Sequence, residues 1–306
     1  MLRYYRVIPK APGYFEMYRY TWVLLCCFFQ LFQMGAHASR MEKVAAQAEG
    51  ETLSYRVSYQ GLLSAFLPVE IARATLHLHP GTEAVNDEHL RRASLAVSTE
   101  AFASIDALYS LRFNYDSWFD PGLAYTTLVN MRKQTSSSRE ELLWFNRSQK
   151  IVRRFTKEGR HSDPGAPALP GFLRQIDRLD STDGFREKGA FKLTKTYVLD
   201  RLAMLYALRF RPLESGETIE LAVSNGKDLL GYSIAVEARE KQVLNGRPIA
   251  ALRLRFTPRF AAGGDRGYAV SVWLSDDERR LPIRFHSASL GGIIELYLEQ
   301  VSGAPG

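Results

Sequence analysis

The chain has 306 residues, 46% apolar and 24% charged, a globular composition that excludes a disordered or fibrous protein. Its 40 Lys and Arg against 33 Asp and Glu give a formal charge of +7, which at face value invites a nucleic acid or an anionic membrane as partner.

The N-terminus weakens that invitation. Thr21 to Met34 reads TWVLLCCFFQLFQM, an apolar run preceded by Arg3, Arg6, Lys10 and Arg19 and followed by Ala36-His37-Ala38. A basic leader, a short apolar stretch and an A-x-A site describe a secretory signal over residues 1–38, cleaved between Ala38 and Ser39. A spanning helix needs about 20 predominantly apolar residues, so a permanent anchor is the poorer reading and no stable span is expected after cleavage. Lipid modification would need a cysteine directly after the cleavage point, whereas Cys26 and Cys27 lie inside the apolar run. Met17 heads a shorter signal of more usual form and is an alternative start. Cleavage removes four of the 40 basic and one of the 33 acidic residues and leaves a net +4. It also leaves no cysteine, which excludes a disulfide, a thiolate metal site and thiol catalysis. The expected location is the periplasm of a Gram-negative-type envelope.

Residues 39–50 are small and polar and read as a flexible leader, and 51–302 as a single β-rich domain. Leu53, Tyr55, Val57 and Tyr59 alternate with polar residues, the pattern of a strand with one wet face. A second strand follows Pro68, through Val69, Ile71, Leu76 and Leu78, with His77 and His79 on its other side. Strand-like runs continue at 90–99, 111–118, 123–131, 141–145 and 151–155, with Asp120-Pro121-Gly122 a turn between two of them. The stretch from Gly159 to Gly171 is rich in Pro and Gly and reads as an exposed loop. Further strands are expected at 217–223, 229–238, 250–256, 268–274, 282–286 and 293–298, with hairpin turns at Asn225-Gly226 and Asn245-Gly246. About a dozen short-linked strands imply a mainly β fold, a large antiparallel sheet that curls or closes to limit its edges. Two short helices are expected, Ala101 to Leu108 and Tyr197 to Leu208, from apolar residues at helical spacing. They end in nearly the same words, Leu108-Tyr109-Ser110-Leu111-Arg112-Phe113 and Leu205-Tyr206-Ala207-Leu208-Arg209-Phe210. Either two related halves, each a helix feeding a strand, or coincidence accounts for this.

Motifs for common hydrolases, zincins and nucleotide sites are missing, which leans against an enzyme without excluding one, and no catalytic residue or cofactor is assigned. Ser224-Asn225-Gly226-Lys227 matches S-x-x-K, but its Asn-Gly makes a hairpin tip instead of the helical turn that a Ser/Lys pair needs. His77 and His79 share a strand face, yet no third ligand is adjacent, and no metal site is assigned. Asp276-Asp277-Glu278 reads as a turn cap. Arg153-Arg154 and Arg279-Arg280 lack an interleaved aromatic stripe, which argues against nucleic acid. The aromatics along the strands serve as core. They would also suit a hollow on the concave side of a curled sheet, with Tyr59, Trp118, Trp144 and Trp273 as candidate ligand contacts.

Tyr55 to Gly61 with Ala74-Thr75-Leu76, the two helix ends, and Val272-Trp273-Leu274-Ser275-Asp276-Asp277-Glu278-Arg279-Arg280-Leu281-Pro282-Ile283 resemble the exported bacterial domain-of-unknown-function family 3108. The resemblance spans roughly Leu53 to Val301. It departs from the family at Ile71-Ala72-Arg73-Ala74, where a Gly is expected. It implies a periplasmic β-spiral or half-open barrel, similar to lipoprotein-carrier folds, and supplies no catalytic residue. The leading expectation is a periplasmic non-enzymatic protein that supports cell-envelope integrity by binding a lipid-like or peptide ligand in the concave face. The alternatives are an interaction module docking an envelope protein by an edge strand or by the 159–171 loop, and a hydrolase or transferase of envelope polymers using an unseen acid pair.

Overall fold

The computed structural model describes residues 48–158, 169–175, 184–260, 269–289 and 291–303. The expected signal, its cleavage site and most of the expected leader lie outside the described residues, as does most of the 159–171 loop.

Alternating sequence becomes strand almost throughout. In chain order the strands of the first half are β1 (Thr52–Gln60), β2 (Val69–Leu78), β3 (Glu83–Val85), β4 (Glu88–Ser98), β5 (Arg112–Phe119), β6 (Thr126–Gln134), β7 (Ser138–Asn146), β8 (Ile151–Glu158) and β9 (Arg186–Lys192). Those of the second are β10 (Thr218–Ser224), β11 (Leu229–Leu244), β12 (Arg247–Phe260), β13 (Val270–Ser275), β14 (Pro282–Ser289) and β15 (Gly292–Ser302). All join one antiparallel sheet in the order β10-β11-β12-β13-β14-β15-β1-β2-β4-β5-β6-β7-β8-β9, with β3 paired to β4. The long-range step is β1 against β15, paired from Thr52–Ser302 to Gln60–Ile293 with one shift between Ser54 and Tyr55, which brings the first and last strands together at the middle of the sheet.

The sheet curls without closing its ladder. Leu199 nevertheless links two distant parts of it. Its N–H donates to Ala222 O of β10, its carbonyl accepts from Ser224 N, and the neighbouring Val198 O accepts from Thr126 N of β6. Helix α1 (Ala103–Leu108) lies between β4 and β5 and buries none of its residues. Helix α2 (Arg201–Phe210) crosses the inside of the curl, with every residue after Arg201 buried. The main core is α2 against the inward residues of β1, β2 and β10 to β15, among them Leu53, Leu76, Ile234, Leu254 and Leu274. β5 to β8 are buried on both faces. Trp118, Leu128, Leu142 and Phe155 pack with Leu169, Leu173 and Phe185 on one side, while Val129, Leu143 and Val152 pack with Leu193 and Val198 on the other.

Several expectations need correcting. Ala48 is buried in the main core and Gly50 N–H donates to Leu78 O, so the end of the expected flexible leader is packed structure. Leu169, in the stretch read as exposed loop, is buried too. β3 and β9 were not legible: one has three residues, and the other, Arg-Glu-Lys-Gly-Ala-Phe-Lys, has no alternation and is a strand because β8 offers it a ladder. The shared hexapeptide is not a repeated helix end. Its first copy leaves α1 for β5, and its second lies wholly within α2. In β2 the ladder with β1 shifts between Val57 and Ser58, leaving Ile71 unpaired within the Ile71–Ala74 stretch where a glycine is expected. The bulge therefore forms without one.

Candidate functional site

The curl encloses an open hollow of about 800 Å³, within the roughly 300–1,000 Å³ of small-molecule sites. One wall is Leu76, Leu95, Phe113, Tyr115 and Met131 of β2, β4, β5 and β6. The opposite wall is Leu230, Phe256, Val270, Phe285 and Leu296 of β11 to β15, and Leu202, Met204 and Leu205 of α2 make the floor. Strand alternation produces this lining, because every second residue of ten strands points into the curl.

Two buried polar clusters hold the floor. Asp200 caps α2, accepting from Leu202 N at 2.7 Å and Ala203 N at 3.3 Å. Its carboxylate also accepts from Tyr115 Oη at 3.0 Å, Ser117 Oγ at 2.5 Å and Thr126 Oγ1 at 2.7 Å, which ties the start of the helix to β5 and β6. Burial pushes the Tyr115 phenol well above its ordinary range, and the Asp200 charge adds to that. At the other end Arg209 Nη2 donates to Glu51 Oε1 at 2.7 Å, both side chains being buried, and Arg279 Nη2 donates to Glu51 Oε2 at 3.0 Å. Arg209 Nε donates further to Arg280 O at 3.1 Å. This knot fastens the end of α2 to the start of β1 and to the β13–β14 turn. That turn is built on Asp277, which accepts from Ser275 Oγ, Arg279 N and Arg280 N, as expected of a cap.

Several large apolar side chains stand exposed. Leu62, Phe66, Leu67 and Val69 in and beside the β1–β2 connection, Leu108 and Tyr109 between β4 and β5, and Ile294 at the start of β15 account for most of the exposed large apolar residues described. Ala65 and Phe66 take positive φ values of 49° and 62°, so this connection holds its apolar tips outward at a backbone cost. A second, shallower depression of about 460 Å³ lies between β7 to β9 and the β10–β11 turn. Its Arg139 and Arg154 pair with Glu141.

None of the four candidate ligand contacts lines the hollow. Tyr59 donates to Gly291 O at 2.5 Å beside the β14–β15 turn. Trp118 is fully buried in the second core, with Nε1 donating to Glu83 Oε2 at 2.8 Å. Trp144 packs edge-on against Phe172. Trp273 points away from the hollow that its neighbour Val272 lines, under Arg284 at 4.6 Å, and donates from Nε1 to Glu240 Oε2 at 2.7 Å. Buried itself, it adjoins a polar belt of Tyr297, Arg284 and Glu295. Burial pushes the Glu295 carboxyl up, but hydrogen bonds from Arg284, Tyr297 and His286 outweigh this and bring it to about 2. On β5 and β13 the residues that do line the hollow, Phe113 and Tyr115 and Val270 and Val272, have the parity opposite to Trp118 and Trp273.

His77 and His79 stack edge-on at 4.2 Å, and His77 Nδ1 lies 2.9 Å from Thr52 Oγ1. Among the described residues no group of three or more His, Cys, Asp or Glu is placed to hold a metal ion. Ser224 Oγ donates to Asp228 O within the hairpin, and Lys227 stands beyond it in the turn. Among the described residues no helix is long and apolar enough to cross a membrane.

Comparison with known families matches residues 175–299 to the family described as a protein of unknown function (DUF3108), the family read from the sequence. Tyr55 to Gly61 and the first helix end lie outside the matched segment. No curated protein matches the sequence. Among solved structures, the chain is similar to a β-barrel-like protein of a domain of unknown function (DUF1849) from Brucella abortus, with 5% identity, a TM-score of 0.48, and 83% of this chain and 98% of that one covered. It is also similar to a candidate lipoprotein from Parabacteroides distasonis, with 6% identity, a TM-score of 0.31, and coverage of 84% and 96%.

Proposed function

We propose that the protein is a non-enzymatic carrier or sensor of a lipid-like molecule, exported by its N-terminal signal and acting in the periplasm in support of the envelope. The observation that carries this reading is the open hollow of about 800 Å³ with a wall of Leu, Val, Phe and Met. A well-packed β core fills such space with its own side chains, and apolar surface left uncovered costs roughly 25 cal/mol per Å². An acyl chain recovers that energy without needing hydrogen bonds. A peptide fits less well. Each strand of the walls already has a neighbour on both sides, so no free strand edge faces the hollow to bind a peptide main chain.

The test is titration of delipidated mature protein with an environment-sensitive fluorescent acyl probe, alongside Ser287→Trp, which puts bulk at a small residue lining the hollow. Saturable binding by the wild type and at least tenfold weaker binding by the variant are expected. No saturable binding by the wild type would overturn the reading.

A further inference from the structure

We infer that the hollow selects an amphiphile with one anionic head group, a carboxylate or a phosphate, held at the corner formed by Arg201 and Asn225; this rests on the reading of the hollow as a ligand site. The hydrogen bonds between Leu199 and β10 set the first turn of α2 beside the β10–β11 turn, so both residues reach the lining. Arg201 is the one charged side chain in that lining, and no carboxylate accompanies it. It is exposed and forms no ion pair with any described acid, unlike Arg209, Arg112 and the arginines of the outer belt.

Its neighbour Asp200 does not cancel it. Both Asp200 oxygens are taken up by the helix cap and by the hydroxyls of Tyr115, Ser117 and Thr126. The Tyr115 phenol, turned to Asp200, is likewise committed. On the Asn225 side chain, Oδ1 accepts from Lys227 N at 2.9 Å and Asp228 N at 2.8 Å, which fixes the amide and leaves its Nδ2 hydrogens as the free polar group. The corner therefore presents donors alone, a guanidinium fork and an amide N–H, beside an otherwise apolar chamber. That combination matches carboxylate or phosphate oxygens and repels an ammonium. Gly226, with φ of 83°, keeps the turn in place: a Cβ there would run into Leu143 of β7.

The experiment measures affinity of the delipidated mature protein for four probes of one chain length: an alkyl carboxylate, an alkyl phosphate, an alcohol and a primary amine. The carboxylate or the phosphate should bind about tenfold or more tighter than the alcohol, as loss of one charge-assisted hydrogen bond predicts, and the amine weakest. Whichever anion binds tighter identifies the head group. Arg201→Gln should abolish the preference while leaving the unfolding temperature unchanged, and Arg201→Glu should turn it toward the amine. Equal binding of all four probes, unaltered by Arg201→Gln, would overturn the head-group assignment and leave the hollow reading intact. Binding of none would overturn both.

Discussion

Two segments of this chain carry almost the same six residues and have opposite fates. In Leu108 to Phe113, Leu108 is 87% exposed, Tyr109 is half exposed, and the chain leaves a short helix for the start of β5. In Leu205 to Phe210 all six side chains are buried within α2 and its packing. The arginines show the difference best. Arg112 bonds Asp106 at 2.7 Å in a partly exposed pair, while Arg209 is buried against Glu51 and lies over the rings of Tyr206 and Phe210. Local sequence set the charge and the helical tendency in both. Whether a second layer lay above them was set by chain passages far away.

The strongest way to break this comparison is to replace both arginines with methionine. Arg209→Met leaves the buried Glu51 carboxylate with Arg279 as its remaining cation, a loss of about 3–5 kcal/mol. Arg112→Met should cost about 1 kcal/mol or less, because its pair is partly solvated. Urea unfolding of the two variants checks this, and equal losses would show that the two environments are alike. Next in size, Leu208→Ala should lose about 2–5 kcal/mol by opening a void in the core, whereas Leu108→Ala should stay within about 0.5 kcal/mol of wild type. Thermal unfolding in parallel decides it.

The smallest effect is one of pH. Hydrogen bonds from Arg112 and Thr99 bring the Asp106 carboxyl from 3.8 to about 2. A folded pKa below the unfolded one adds stability above pH 3.8, and that stability is lost as the pH falls toward 2. Asp106→Asn should therefore unfold at a slightly lower temperature than wild type at pH 7, with the gap closing between pH 3.8 and 2. A constant gap across that range would show that the ion pair contributes nothing.

How much was legible varies by element. The strand containing Leu53, Tyr55 and Val57 could be read because alternation reports a local fact, one wet face and one dry. The hairpins at Asn225-Gly226 and Asn245-Gly246 followed for the same kind of reason, the last two residues taking φ of 51° and 74° as such a turn requires. β9 was invisible because its strand state comes from β8. The candidate tryptophans lie off the hollow for a subtler reason. Alternation separates Trp273 from Val272 and Leu274 but does not say which side is concave. The Arg201–Asn225 corner was out of reach, since the two residues meet through Leu199, whose partners in β10 no local pattern names.

The sequence by itself therefore determined a mainly β chain, its turns and the parity of its strands, because each depends on neighbours within a few residues. Only the tertiary structure decided which parity faces inward, which copy of the hexapeptide is buried, and that the curl leaves an apolar hollow with one cation at its corner. Those outcomes follow from the pairing of β1 with β15 and the path of α2 across the curl, contacts between segments far apart in the chain.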